Sequence, residues 1–185
     1  MNIALIGPMG VGKTTIGRLL ADRLRLDFLD TDHEIEARTG ADIPWIFDVE
    51  GEEGFRNRET AVLNDILSRS GQVIATGGGI IMREENRVAL LQSALVIYLS
   101  ASVDRILERT SRDRKRPLLQ VSDPRARITE LMEMREPLYR EASHKIFSAD
   151  GNRPRQLVSR ILKFCESREA CAPENRPPVE AGDTN

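Results

Sequence analysis

The stretch GPMGVGKTT at residues 7–15, placed directly behind the apolar run NIALI at 2–6, constrains this chain more than any other feature. Gly7 to Thr14 satisfy G-x-x-x-x-G-K-[ST], the spacing of a phosphate-binding loop. Both flanks agree with that motif. NIALI reads as a short buried strand, and TTIGRLLADRLRL (14–26) sets Ile16, Leu19, Leu20 and Leu24 at helical spacing. A plain glycine turn is the competing reading, and the strand before and helix after weigh against it. Glycines let successive backbone N–H groups turn inward around phosphate oxygens, and the following helix points its positive end at the same place. Lys13 is placed to reach the β and γ phosphates of a nucleotide, and Thr14 to offer its hydroxyl to Mg²⁺. Gly10, Val11, Gly12 and Thr15 complete the cradle.

Beyond the loop, hydrophobic period alternates between strand and helix. DFLDTD (27–32) reads as a second strand ending in acids, and HEIEARTG (33–40) as a helix stopped by Gly40. A helical region begins at Ile43 and is expected in two pieces meeting near Gly51. QVIATGGG (72–79) is a strand running into glycines, and REENRVALLQ (83–92) a helix. ALVIYLS (94–100) is a buried strand, SVDRILERT (102–110) a helix, and KIFS (145–148) a last strand between helices at 124–139 and 154–165. This alternation predicts an α/β fold of three layers: a parallel sheet with helices on both faces. Residues 111–124 interrupt the rhythm with charge and proline and read as a long exposed loop. Residues 1–166 form the expected domain, and 167–185, polar and holding three prolines, the expected unstructured tail.

Lys and Arg number 27 against 29 Asp and Glu, a net charge of −2, so no overall field favours nucleic acid or an anionic membrane. No apolar run approaches the about 20 residues that cross a bilayer, and no leader precedes the first strand, so a cytoplasmic protein is expected. Cys165 and Cys171 lack metal-ligand spacing and read as free thiols. His33 and His144 offer no metal constellation. Nothing points to an obligate partner, and a monomer is expected.

In an open parallel sheet the ligand crevice lies beyond the carboxyl ends of the strands. Asp30, closing the second strand, is the candidate for Mg²⁺. Asp32, one pleat further, is the candidate to face an acceptor hydroxyl and take its proton. Capping the next helix is the competing role, and it suits Asp30 or Thr31. Gly77, Gly78 and Gly79 read as a place where backbone approaches a ligand, with a mere turn as the alternative. The basic segment RTSRDRKR (109–116) reads as a lid, because aromatic residues are only 4% and the chain is not basic, as a nucleic-acid surface requires. Arg116, stiffened by Pro117, is the candidate to close on the γ-phosphate. Arg56 and Arg135 would together suit a small carboxylate, and each alone reads as a surface charge. Arg135 stands shortly before Pro137, which should end its helix. DVEG at 48–51 follows helical sequence, and N-K-x-D is absent, so a regulatory GTPase is set aside.

The set GPMGVGKTT, FLDTDHEIEARTG, IFDVEGEEGFRNRE, ATGGG, RPLL and MREPLY closely resembles the shikimate kinase family, in order and spacing, from Asn2 to Cys165. The resemblance implies a nucleoside-monophosphate-kinase-like fold with a five-stranded parallel sheet, and transfer of the ATP γ-phosphate to the 3-hydroxyl of shikimate in chorismate synthesis. It implies that Lys13, Thr14 and Asp30 serve phosphate and Mg²⁺, Asp32, Gly78 and Gly79 the ring hydroxyls, Arg56 and Arg135 the carboxylate, and Arg116 the phosphates. Phe47 and Phe55 resemble the family's apolar wall, Glu59 the acid holding Arg56, and Arg109 and Arg153 its adenine-contacting positions. The rival readings are a gluconate- or nucleotide-type kinase and a catalytically silent sensor of the same fold.

Overall fold

The computed structural model describes residues 1–110 and 123–170, with side chains as far as Ser167. Five strands, β1 (Asn2–Ile6), β2 (Asp27–Asp30), β3 (Gln72–Ala75), β4 (Ala94–Ser100) and β5 (Lys145–Ser148), form one sheet in the order β2-β3-β1-β4-β5. Every pairing is parallel, with Ala4 opposite Ile74 on one side and Val96 on the other. The helices are α1 (Lys13–Leu24), α2 (Thr31–Thr39), α3 (Ile43–Leu67), α4 (Glu84–Ser93), α5 (Val103–Thr110), α6 (Pro124–Glu141) and α7 (Pro154–Ala170), with a 3₁₀ turn at Ile80–Met82.

Side chains alternate across a strand, and here both faces are covered. Ile3, Leu5, Leu95, Ile97 and Leu99 face α1 and α7, joining Leu20, Leu157 and Ile161. Ala4, Ile6, Val96 and Tyr98 face the opposite way, against Leu63, Leu90 and Tyr139. Each such buried aliphatic side chain contributes about 1.5–3 kcal/mol, which is what lets a strand as short as β3, buried along its whole length, form. A smaller cluster of Ile35, Ile46, Phe55, Val62 and Ile74 seats α2 and α3 on the β2–β3 side.

One local expectation is met and three meet differences. α3 breaks at Gly51 (φ 71°, ψ −179°), where two pieces were anticipated. β2 stops at Asp30 because the Asp30 carboxylate accepts from the Asp32 N–H at 3.2 Å and caps α2; Asp32 therefore stands in a helix's first turn rather than one pleat along a strand. α6 continues through Pro137 to Glu141, correcting the expected stop. An interior proline costs roughly 3 kcal/mol, but Tyr139 and Ala142 beyond it are fully buried, so burial outweighs the local penalty. α7 runs to Ala170, into the stretch expected to lack structure. Arg116 with residues 111–115 of the expected lid and 117–122 of the expected loop, and Cys171 with the remaining tail, lie outside the described residues.

Among the described residues no helix is long and apolar enough to cross a membrane, and no group of His, Cys, Asp and Glu has metal-site geometry. Cys165 is a buried free thiol. His144 is structural: its Nδ1 accepts from the Val96 N–H at 3.0 Å while its own N–H donates to Val96 O.

Candidate active site

The loop between β1 and α1 carries the first half of the site. Gly12 is the N-cap of α1 with φ 103°, a left-handed conformation that side chains with a Cβ rarely adopt, and it turns the chain so that α1 starts at Lys13. Lys13 is only 9% exposed, and its Nζ donates to the carbonyls of Gly7 at 2.7 Å and Pro8 at 2.8 Å. The ammonium is thus held across the mouth of the loop it serves. Gly10, Val11, Gly12 and Thr15 line the same turn and the first turn of α1.

At the end of β2, Thr14 Oγ1 donates to Asp30 Oδ2 at 2.7 Å. The two candidate metal ligands, 16 residues apart, therefore share one hydrogen bond. Capping by Asp30 also points α2 so that Asp32 projects toward the end of β3.

Three consecutive glycines after β3 each face a different part of the site. A Cβ on Gly77 would fall 2.5 Å from Asp32 Oδ1 and 2.8 Å from Glu59 Oε1. One on Gly78 would lie 3.4 Å from Met9 N and 3.6 Å from Gly7 O, against the phosphate loop. On Gly79 it would enter the Arg56 guanidinium. The triad is a shelf packed on both its neighbours, not a mere turn. Lys13 and Asp32 consequently border one cleft: Lys13 binds the Gly7 carbonyl, Gly78 abuts that carbonyl, and Gly77 abuts Asp32.

Two arginines reach the shelf although neither belongs to it. Arg56, 7% exposed, donates through Nη1 to Glu59 at 2.8 Å and through Nη2 to Glu52 at 3.1 Å. Phe55 lies beneath its guanidinium, 5.4 Å from the ring centre, and stacks on Phe47 with centroids 4.6 Å apart. Arg135, 8% exposed, donates through Nη1 to the Gly78 carbonyl at 3.4 Å, and its Nε is buried with no partner among the described residues. Burial works against the Arg56 charge, but Glu59 and Glu52 outweigh it and raise its pKa. Burial pushes the Glu59 carboxyl up, and Arg56, then Arg135 and Arg83, draw it back. Among the described residues Arg56 is answered by the buried Glu59 and the exposed Glu52, whereas no ion pair joins the buried Arg135 to a carboxylate, so its charge is free to meet a ligand. Such a site favours a small anion.

Beside the loop a second hollow of about 240 Å³ is lined by Gly12, Thr15, Arg105, Arg109, Asn152 and Pro154. A Cβ on Gly12 would sit 3.1 Å from Arg109 Nη1, so Arg109 lies over the loop. Arg153 is exposed, and its neighbours Asn152 and Pro154, rather than Arg153, line the hollow. Arg105 and Asn152 escaped the sequence reading. Arg105 could have been found, since it precedes Arg109 by one helical turn and so shares its face; Asn152 lies in a loop whose position only β5 packing sets.

The shikimate kinase family profile matches residues 9–166. A shikimate kinase of Thioalkalivibrio sulfidiphilus is 55% identical over 163 residues, 88% of this chain and 86% of its own length. The structure of shikimate kinase from Acinetobacter baumannii in complex with shikimate superposes with TM-score 0.88 at 51% identity, covering 91% of this chain and 94% of that one. A gluconokinase of Sinorhizobium meliloti shares the fold alone, with TM-score 0.54 at 13% identity over 92% of this chain and 97% of that one. With the family profile matching residues 9–166, a curated relative 55% identical, and a cleft that joins a phosphate loop to two buried arginines, this chain belongs to the shikimate kinase family.

Proposed function

We propose that this enzyme transfers the γ-phosphoryl group of ATP to the 3-hydroxyl of shikimate, releasing ADP and shikimate 3-phosphate. One observation carries the reading: Arg56 and Arg135, both buried, meet adjacent glycines of a shelf that abuts Asp32 on one side and the phosphate loop on the other. A ring acid anchored by its carboxylate on that positive charge presents its hydroxyls to Gly78, Gly79 and Asp32. An acceptor without a carboxylate would leave Arg135 without an anionic partner.

The phosphate loop and Lys13 bind the β and γ phosphates, with Lys13 exchanging its loop carbonyls for phosphate oxygens of higher negative charge. Asp32 orients the acceptor hydroxyl and takes its proton as the acceptor oxygen bonds to Pγ and the bridging oxygen leaves with ADP. Phe47 and Phe55 form an apolar wall that packs against the Arg56 guanidinium and excludes water. The Thr14 hydroxyl and Asp30 carboxylate, already 2.7 Å apart, are the hard oxygen donors Mg²⁺ prefers, and few protein ligands suffice because that ion keeps several waters. When bound there it neutralises charge on the β and γ oxygens. Arg109 and the hollow beside it receive the base, with Arg153 at its rim, and Arg116 completes the charge clamp from the segment beyond α5. Every one of these groups comes from one chain, so a monomer is a complete catalytic unit.

The test is an ADP-coupled assay offering shikimate, gluconate and nucleoside monophosphates, with an acceptor-free control. Turnover with shikimate alone is expected. Equal turnover with gluconate, or none with any acceptor, rejects the reading.

A further inference from the structure

Behind the glycine shelf stands a fully buried tyrosine of α6. Tyr139 is 0% exposed, and its hydroxyl donates to the Gly78 carbonyl at 2.5 Å, the same oxygen that Arg135 Nη1 reaches at 3.4 Å. Its ring stacks on Tyr98 of β4, centroids 5.0 Å apart and planes 17° from parallel, while the Tyr98 hydroxyl donates to Glu136. The Tyr139 hydroxyl is thus carried by the sheet as well as by α6.

The peptide unit is planar and trans, so the Gly78 carbonyl and the Gly79 N–H point in opposite directions. Pinning the carbonyl toward α6 aims the Gly79 N–H away from it, and Gly79 is the residue lying against the Arg56 guanidinium. Among the described residues nothing accepts from the Gly79 N–H. A glycine peptide has little of its own to hold this orientation, since either flip is sterically open to it.

We infer that Tyr139 is a positioning residue for the acceptor: by clamping the Gly78 carbonyl it fixes the Gly79 N–H as a donor to a substrate oxygen and sets the reach of Arg135. This rests on the proposed shikimate site. It also accounts for α6 persisting past Pro137, because the clamp works only if the helix carries Tyr139, four residues after Arg135, onto the same face.

The test is steady-state kinetics of Tyr139→Phe, which keeps the stacked ring and removes only the clamping hydroxyl, alongside wild type, Arg135→Ala and Tyr98→Phe, with melting temperatures measured for all four. Tyr139→Phe should raise the shikimate KM about three- to tenfold, the worth of one buried hydrogen bond, with kcat and ATP KM within about twofold of wild type. Tyr98→Phe, which loses a buried hydroxyl away from the shelf, should lower Tm and leave the shikimate KM within about twofold. A wild-type-like KM in Tyr139→Phe while Arg135→Ala raises it overturns the inference and spares the site; so does Tyr98→Phe raising KM as far as Tyr139→Phe. Wild type without shikimate kinase activity overturns the proposed function itself, and the inference with it.

Discussion

The two halves of the cleft are built by different means. On the proposed nucleotide side, neighbours in sequence do the work: nine residues, 7–15, form a loop and the first turn of α1, and Lys13 is held by carbonyls five and six residues away. On the acceptor side no local segment suffices. Asp32 comes from α2, Arg56 from α3, Arg135 from α6, and the three meet only because the glycines after β3 have no side chains to keep them apart. A backbone cradle suits what all nucleoside triphosphates share, whereas, on the proposed function, side chains gathered from separate helices select one particular acid. The first half is therefore general to phosphate binding and the second carries selectivity.

Breaking the nucleotide half should cost the most. Lys13→Ala removes a preorganised charge from the transferring phosphoryl group and should lower kcat about 10²–10³-fold, while calorimetric titration of shikimate alone still shows binding; lost shikimate affinity would mean that the halves are not separable. Asp32→Asn lies on the boundary. Loss of the proton acceptor should reduce kcat roughly 10²–10⁴-fold with the melting temperature unchanged, and near-normal kcat would discard the base assignment.

Within the acceptor half, Arg135→Ala should raise the shikimate KM about 10–100-fold, the worth of one charged hydrogen bond, and leave the ATP KM alone. An equal rise in ATP KM would place Arg135 on the wrong side of the comparison. The glycines sharpen it further. Gly79→Ala drives a methyl group into the Arg56 fork and should raise the shikimate KM roughly tenfold, whereas Gly78→Ala meets only ordinary contacts at 3.4 Å and beyond and should do much less. The reverse ranking, read from the same kinetics, would show that the shelf does not hold Arg56.

Legibility in the sequence follows the same division. The parallel sheet, its helices and the break at Gly51 were readable because each rests on hydrophobic period or on one glycine within its own segment. The fate of the chain at Asp30 was half readable: a cap was foreseen as a competing role, but whether strand or helix claimed Asp32 turned on one hydrogen bond from carboxylate to backbone. Pro137 misled for a related reason. Its local effect is real, and only the burial of Tyr139 against Tyr98, a residue 41 positions earlier, overrides it.

Motif spacing by itself determined that this chain holds a phosphate on a loop between strand and helix, since all the required groups lie within covalent reach of one another. Only the tertiary structure decided that Arg56 and Arg135 are buried cations on one shelf rather than two surface charges, that the Gly78 carbonyl is held from behind by Tyr139, and that Arg105 and Asn152 line the hollow beside the phosphate loop. Those relations depend on which helices the sheet brings to its carboxyl edge. No local pattern encodes them, because the contacts that matter join residues tens of positions apart through packing.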